Sequence, residues 1–223
     1  GVAVLDFFAV GDSMYLSTSV GVSLYLVQRD EVKETYRNFG GVIQSDTVRS
    51  ILVDNRILWA ATNSGAARTS LTLPNLQAPE SWTIYTTSNG LPSNRVLSFA
   101  RFQGRTIAVC SNGIARFVNN RWESISGNLA GLVFKQAQSV SANGVETFYI
   151  ATANGIYSGT TPGVWQPVGN DIAQITGLTI DARNVVWAGT SNKGLFEYNS
   201  SSNNWNAREP DGPPREVRGE GGA

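Results

Sequence analysis

Short runs of β-branched and aromatic residues recur along the chain, broken every few positions by Gly, Asn or Asp. Thr176-Gly-Leu-Thr-Ile180 and Leu195-Phe-Glu-Tyr198 are two of them. Runs of this kind, bounded by turn residues, predict strands. No segment sustains the 3.6-residue apolar period of a helix, and 23 glycines are too many for long helices. The pattern therefore predicts an all-β protein.

One phrase within the pattern repeats five times: an aromatic, two residues, Thr, two residues, Gly. It stands as Tyr15-Leu-Ser-Thr18-Ser-Val-Gly21 and as Trp59-Ala-Ala-Thr62-Asn-Ser-Gly65. It returns as Ile107-Ala-Val-Cys110-Ser-Asn-Gly113, as Tyr149-Ile-Ala-Thr152-Ala-Asn-Gly155 and as Trp187-Ala-Gly-Thr190-Ser-Asn-Lys-Gly194. The Thr positions, with Cys110 standing in once, are spaced by 44, 48, 42 and 38 residues. A second aromatic recurs at Tyr36, Trp82, Trp122, Trp165 and Trp205. A period in the low forties with strand content is the mark of a repeat architecture.

Each unit divides into four short strands, which describes a β-propeller blade. The predicted fold is an all-β propeller of about five recognisable four-stranded blades. The blades fall at about 1–40, 41–92, 93–131, 132–172 and 173–214, and residues 215–223 are a tail or the start of a further blade. Gly212-Pro-Pro-Arg-Glu-Val217 aligns loosely with the blade opening Gly90-Leu-Pro-Ser-Asn-Arg-Val96. The periodic tryptophans are expected to fill the wedges between blades. Blade one starts at its first strand and blade five ends at its last, so no strand exchange ties the ends. Either five blades close, or the natural protein continues, or another chain covers the two end faces. The chain opens on Gly1 without an initiator Met and reads as a mature or excised piece.

Composition narrows the chemistry. Lys and Arg total 17, as do Asp and Glu, and the zero net charge weighs against nucleic acid or an anionic membrane as main partner. No stretch is apolar enough to span a membrane. The absence of His removes His-based metal sites, Ser-His-Asp catalysis and His proton shuttles. Cys110, the one cysteine, excludes an intrachain disulfide and reads as a small buried side chain.

Val186-Trp-Ala-Gly-Thr-Ser-Asn-Lys-Gly-Leu-Phe-Glu-Tyr198 and Leu58-Trp-Ala-Ala-Thr-Asn-Ser-Gly65 resemble the two-component-regulator propeller repeat. So does the connector Tyr85-Thr-Thr-Ser-Asn-Gly-Leu-Pro-Ser-Asn94, which looks like that family's link between blades. The resemblance covers nearly the whole chain. It implies an extracytoplasmic bacterial propeller, periplasmic or on the cell surface. In that family such propellers are ligand sensors, often of glycans, in hybrid histidine kinases. Similar repeats build secreted and surface proteins, including the PorZ-type component of type IX secretion. The chain departs from the sensor pattern in having fewer blades and no following β-sandwich, membrane span or kinase. Blade three is off consensus at Ile107 and Cys110, and blade four at Ala153.

No catalytic residue, metal or cofactor is expected; a glycan-active enzyme is the distant alternative, with Asp46, Asp54, Asp171 and Asp181 as its candidate loop carboxylates. Asp54 and Asp181 occupy equivalent turns, where an Asp bonds its own backbone. The Gly turns sit at hairpins rather than between strand and helix, so no phosphate loop qualifies. Binding is the stronger expectation, to a protein partner or a glycan. In a propeller the fourth-to-first-strand connectors and the second-to-third-strand turns share one face. The connectors here are residues 38–46, 86–95, 127–136 and 169–174. They supply the candidate ligand-binding residues Asp46, Asn94, Arg95, Lys135, Gln136, Asp171 and Gln174. The long stretch Ser70-Leu-Thr-Leu-Pro-Asn-Leu-Gln-Ala-Pro-Glu80 in blade two either folds back on its own blade through its leucines or docks a partner.

Overall fold

The computed structural model describes residues 1–40, 43–44, 46–170 and 172–208. These form five antiparallel four-stranded sheets, each paired in chain order from inner to outer strand. Blade one is built from Val4–Val10, Ser13–Thr18, Gly21–Leu26 and Glu31–Tyr36. Blade two takes Val48–Asp54, Ile57–Thr62, Ala66–Ser70 and Thr83–Tyr85; blade three takes Val96–Phe102, Arg105–Cys110, Gly113–Val118 and Arg121–Ser124. Blade four takes Phe134–Ala142, Val145–Thr152, Gly155–Thr161 and Val164–Pro167. Blade five takes Ile175–Ile180, Val186–Thr190, Leu195–Asn199 and Asn204–Arg208. A small ribbon, Asn38–Phe39 paired with Ile43–Gln44, precedes blade two and has no counterpart in the sequence pattern. The tail 215–223 lies outside the described residues.

The repeated Thr has a specific task. Its hydroxyl donates to the carbonyl of the repeat's Gly and accepts an N–H from within the same turn, locking the hairpin between second and third strands. Thr18, Thr62, Thr152 and Thr190 donate to Gly21, Gly65, Gly155 and Gly194 at 2.9 to 3.0 Å. The N–H groups of Val20, Ser64, Asn154 and Lys193 return the bond. Replacing Thr62 with Val keeps the shape and leaves the Ser64 N–H unpartnered. The expected loss is about 1–2 kcal/mol by the cost of a removed hydrogen bond, read as a lower urea midpoint at unchanged slope. Cys110 cannot supply this lock. Burial pushes its thiol up to about 12, with a backbone hydrogen bond to Ser93 pulling the other way, so at neutral pH it is protonated and not a nucleophile.

The cores lie between blades rather than within them. Tyr15, Val22 and Leu24 of blade one meet Ile51, Leu58 and Trp82 of blade two. Trp59 and Tyr85 meet Phe99 and Trp122 across the next wedge, where Arg68 caps the rings of Trp59 and Phe117 at 5.6 and 5.8 Å. Phe102 stacks on Phe148 at 4.9 Å between blades three and four. Trp165 and Trp205 each donate their indole N–H back to the preceding blade, to the Ile125 and Val168 carbonyls at 2.9 and 2.8 Å. Each large apolar side chain buried this way contributes about 1.5–3 kcal/mol. The long connection of blade two folds back. Leu76 is buried in the first wedge with Leu71 packed beside it, and the Leu76 carbonyl accepts the Trp82 indole N–H at 2.9 Å.

Trp187 departs from the expectation that every periodic tryptophan packs between blades. It is only half-buried, on the face of blade five that corresponds to the Trp59 face of blade two. Its indole N–H donates to Asp181 at 3.2 Å. Inner strands pack successively from blade one to blade five, and among the described residues no comparable packing joins blade five to blade one, which leaves an open face at each end. Phe7 on blade one is 61% exposed and Leu195 on blade five is 44% exposed.

Candidate functional site

A departure from regular pairing recurs at one place in every blade. The first strand carries one extra residue against the second, directly after its opening position. The extra residues are Leu5, Arg49, Leu97, Lys135 and Thr176. A β-bulge leaves its residue unpaired and re-aims the side chain. Four of the five, Arg49, Leu97, Lys135 and Thr176, converge on one cleft of about 370 Å³, lined also by Arg95, Ser111, Val133 and Phe134. Deeper along the inner strands lies a channel of about 330 Å³ lined by Asp6, Phe7, Ser50, Ser98, Gln136 and Ser139 among others. The cleft lies at the connector ends of the same inner strands, where Arg49, Leu97 and Lys135 directly precede the channel residues Ser50, Ser98 and Gln136, and is here termed the mouth.

In blades one and four the residue after the bulge ties the blade to the next. Asp6 accepts the Ile51 N–H of blade two at 3.4 Å, and Gln136 accepts the Leu178 N–H of blade five at 2.9 Å. Ser98 holds the equivalent position in blade three with a shorter side chain, and its buried hydroxyl has no partner among the described residues.

The seven candidate residues separate by role. Arg95 and Lys135 are exposed and line the cleft. Gln136 lines the channel and spends its amide oxygen on blade five. Asp46 accepts from the Asn63 amide at 3.2 Å, and the Asn63 oxygen in turn accepts from Arg49 Nε and Nη2 at 3.0 and 2.9 Å. Asp46 thereby orients Arg49 through Asn63. Asn94 accepts the Thr87 N–H at 2.8 Å and shapes its own connector. Gln174 accepts from the Ser191 hydroxyl at 2.9 Å and joins its connector to the hairpin turn of blade five. Asp171 lies outside the described residues. Arg49, Leu97 and Thr176 also belong to the cleft but lie within first strands, outside the connectors. Leu5, Arg49 and Leu97 each stand 13 residues before the hairpin Thr or Cys110, whereas Lys135 and Thr176 stand 17 and 14 residues before theirs.

The turn carboxylates are occupied on the opposite edge. Arg183 and the Val185 N–H hold the Asp181 carboxyl well below the usual range. Asp54 pairs with Arg101, and Glu146 accepts the Gln103 N–H at 2.8 Å. Among the described residues no group of three or more His, Cys, Asp or Glu is placed to hold a metal ion, and no helix is long and apolar enough to cross a membrane.

No protein-family model and no curated protein matches the chain. Solved structures do. The extracellular domain assigned to the hybrid two component system BT4673 of B. thetaiotaomicron is 18% identical with a TM-score of 0.75, over 94% of this chain and 28% of that one. PorZ, a bacterial surface component of the type-IX secretion system of Porphyromonas gingivalis, is 18% identical with a TM-score of 0.62, over 87% of this chain and 24% of that one. YCF48 bound to D1 peptide is 13% identical with a TM-score of 0.62, over 92% of this chain and 68% of that one. The chain thus spans about a quarter of the first two structures. It shares the propeller fold with the proteins that its repeats resemble.

Proposed function

We propose that the chain is a non-catalytic binding and scaffold propeller of a bacterial cell-envelope or secretion assembly, working outside the cytoplasm, with its partner seated at the channel mouth. The observation that carries this reading is the convergence of four bulge residues on one cleft. A repeat fold that re-aims a side chain at the same place in every blade builds a reading surface whose specificity can change without change to the scaffold. The turn carboxylates support a role other than glycan hydrolysis. Two carboxyl groups facing each other across a bond are needed there, whereas Asp54 is paired with Arg101 of the next blade and Asp181 is held within its own turn. The likeness to PorZ supports an assembly role, and the peptide complex of YCF48 supports a peptide or protein as partner over a glycan.

A second reading is the ligand-sensing part of a two-component receptor, supported by the TM-score of 0.75 to the BT4673 extracellular domain over nearly the whole chain. Affinity purification of the native protein from its source under mild detergent separates the two. The scaffold reading expects a fixed stoichiometric ratio to another envelope or secretion protein. A polypeptide that continues into a membrane span and kinase, and purifies alone, contradicts it in favour of the receptor.

A further inference from the structure

The cleft at the channel mouth carries an unbalanced charge. Arg49, Arg95 and Lys135 all line it. None of the three is in an ion pair among the described residues; Arg37, Arg56, Arg68, Arg105, Arg121 and Lys193 are likewise unpaired elsewhere, and what sets the cleft apart is that three such cations line one concavity. Asp46 is the carboxylate that the described connectors bring to this side, and it is turned toward Asn63. Asp6 lies deeper, held by the Phe7 and Ile51 N–H groups. The Arg49 guanidinium is fixed by a neutral partner, the Asn63 amide oxygen, which takes Nε and Nη2 and leaves Nη1 free of that contact. A guanidinium held this way is pre-organised, with the Asp46 carboxylate one bridging amide away rather than in direct contact. The other walls combine Leu97 and Val133, the latter 51% exposed, with the polar Ser111 and Thr176.

We propose that this cleft is a carboxylate-binding site for an acidic peptide segment, with Arg49, Arg95 and Lys135 as its cationic ligands and Leu97 and Val133 contacting the adjacent apolar side chain. It rests on the reading of the mouth as the partner site. Planar guanidinium groups match carboxylates in a two-point contact, and a Lys at the third position adds a mobile point charge. A peptide fits this cleft better than an acidic glycan does. Sugar rings are usually gripped by an exposed flat aromatic face, and the one aromatic lining the cleft, Phe134, is fully buried. Two of the three cations stand at bulge positions, so the same scaffold with other bulge residues would read another ligand.

The test uses three probes on the isotope-labelled full chain: acetyl-Leu-Asp-Glu-Leu, tri-galacturonate and inorganic sulfate. Spectra are followed at the Arg49 Nε–H and at the backbone of Leu97, Lys135 and Thr176. The peptide is expected to shift these resonances saturably, to bind more tightly than either other probe, and to lose roughly tenfold or more in affinity in the Arg49→Gln/Arg95→Gln/Lys135→Gln variant. The single variant Asn63→Ala is expected to weaken peptide binding while leaving the urea midpoint close to that of the parent, since Asn63 is exposed in a turn. Tighter binding of tri-galacturonate overturns the choice of peptide. Equal binding of all three, or unchanged peptide affinity in the triple variant, overturns the site. If the native partner still co-purifies with the triple variant, this inference fails while the scaffold reading stands. If the peptide binds as expected and no partner co-purifies from the source, the scaffold reading fails while the site stands.

Discussion

Trp165→Ala is expected to lower stability by about 3–5 kcal/mol, the cost of truncating a fully buried aromatic, out of the roughly 5–15 kcal/mol a domain has in total. Trp165 is 0% exposed and fills the wedge between blades three and four. Its ring lies 5.8 Å from Phe148 and 6.3 Å from Phe102. Its indole N–H donates to the Ile125 carbonyl, and its backbone N–H donates to the Asn128 side chain at 3.0 Å. Removal of the ring therefore opens a cavity and leaves the Ile125 carbonyl without the indole. The strand Val164–Pro167 that carries it is short and irregularly paired to its neighbour. Hydrogen exchange should accordingly rise first in this strand and in residues 125–129. Trp187→Ala is the control. Trp187 is half-buried on an open face, and its truncation should cost about 1 kcal/mol or less, as surface changes do. Similar losses at the two positions would mean that the wedges are not the source of stability.

Gly65→Ala should cost about 3 kcal/mol or more, far beyond an ordinary surface Gly→Ala change, because two effects of strained backbone and steric overlap add. Gly65 adopts φ +149°, a conformation side chains avoid. A Cβ there would land on the Tyr85 carbonyl oxygen, with Ile84 Cγ2 at 3.4 Å. The outer strand of the blade passes directly over the hairpin turn, so relief requires either the turn or Thr83–Tyr85 to move. Tyr85 packs against Trp59 at 5.8 Å and Phe117 at 5.1 Å, and displacement would loosen the whole wedge. Gly144→Ala makes the comparison clean. Gly144 also has positive φ, at +77°, but a Cβ there meets nothing within 4 Å. Its cost should be about 1 kcal/mol, from conformation alone. Thermal or urea unfolding of the two variants reads the difference, and equal losses would remove the role assigned to the outer strand.

The scaffold is legible in the sequence because its physical demands fall on particular residue types. The hairpin lock needs a hydroxyl beside a Gly, so Thr18, Thr62, Thr152 and Thr190 recur at matching places. The wedge needs a large ring, so Tyr36, Trp82, Trp122, Trp165 and Trp205 recur at its place, and Trp165 and Trp205 aim their indole N–H groups at the preceding blade. The mouth is less legible because a bulge demands no residue type. Leu5, Arg49, Leu97, Lys135 and Thr176 share a geometry and no chemistry, and Arg49 reads as one more strand residue in Val48-Arg-Ser-Ile-Leu-Val-Asp54. Arg95 and Lys135 are legible because they stand at the ends of connectors. It also gathered Asn94 and Gln174, whose polar groups are consumed in shaping those connectors. Polarity in a loop marks where a site can be, and the hydrogen-bond partners decide which side chains remain available for a ligand.

The most direct test of the mouth as the binding site is site-specific photo-cross-linking in the source cells. A benzophenone amino acid replaces Leu97 at the mouth or Asn143 at the opposite edge, each with and without the Arg49→Gln/Arg95→Gln/Lys135→Gln changes. The account predicts one discrete cross-linked product from position 97, lost when the three cations are removed, and none from position 143. A product from position 143 alone, or a position-97 product indifferent to the cations, would contradict it.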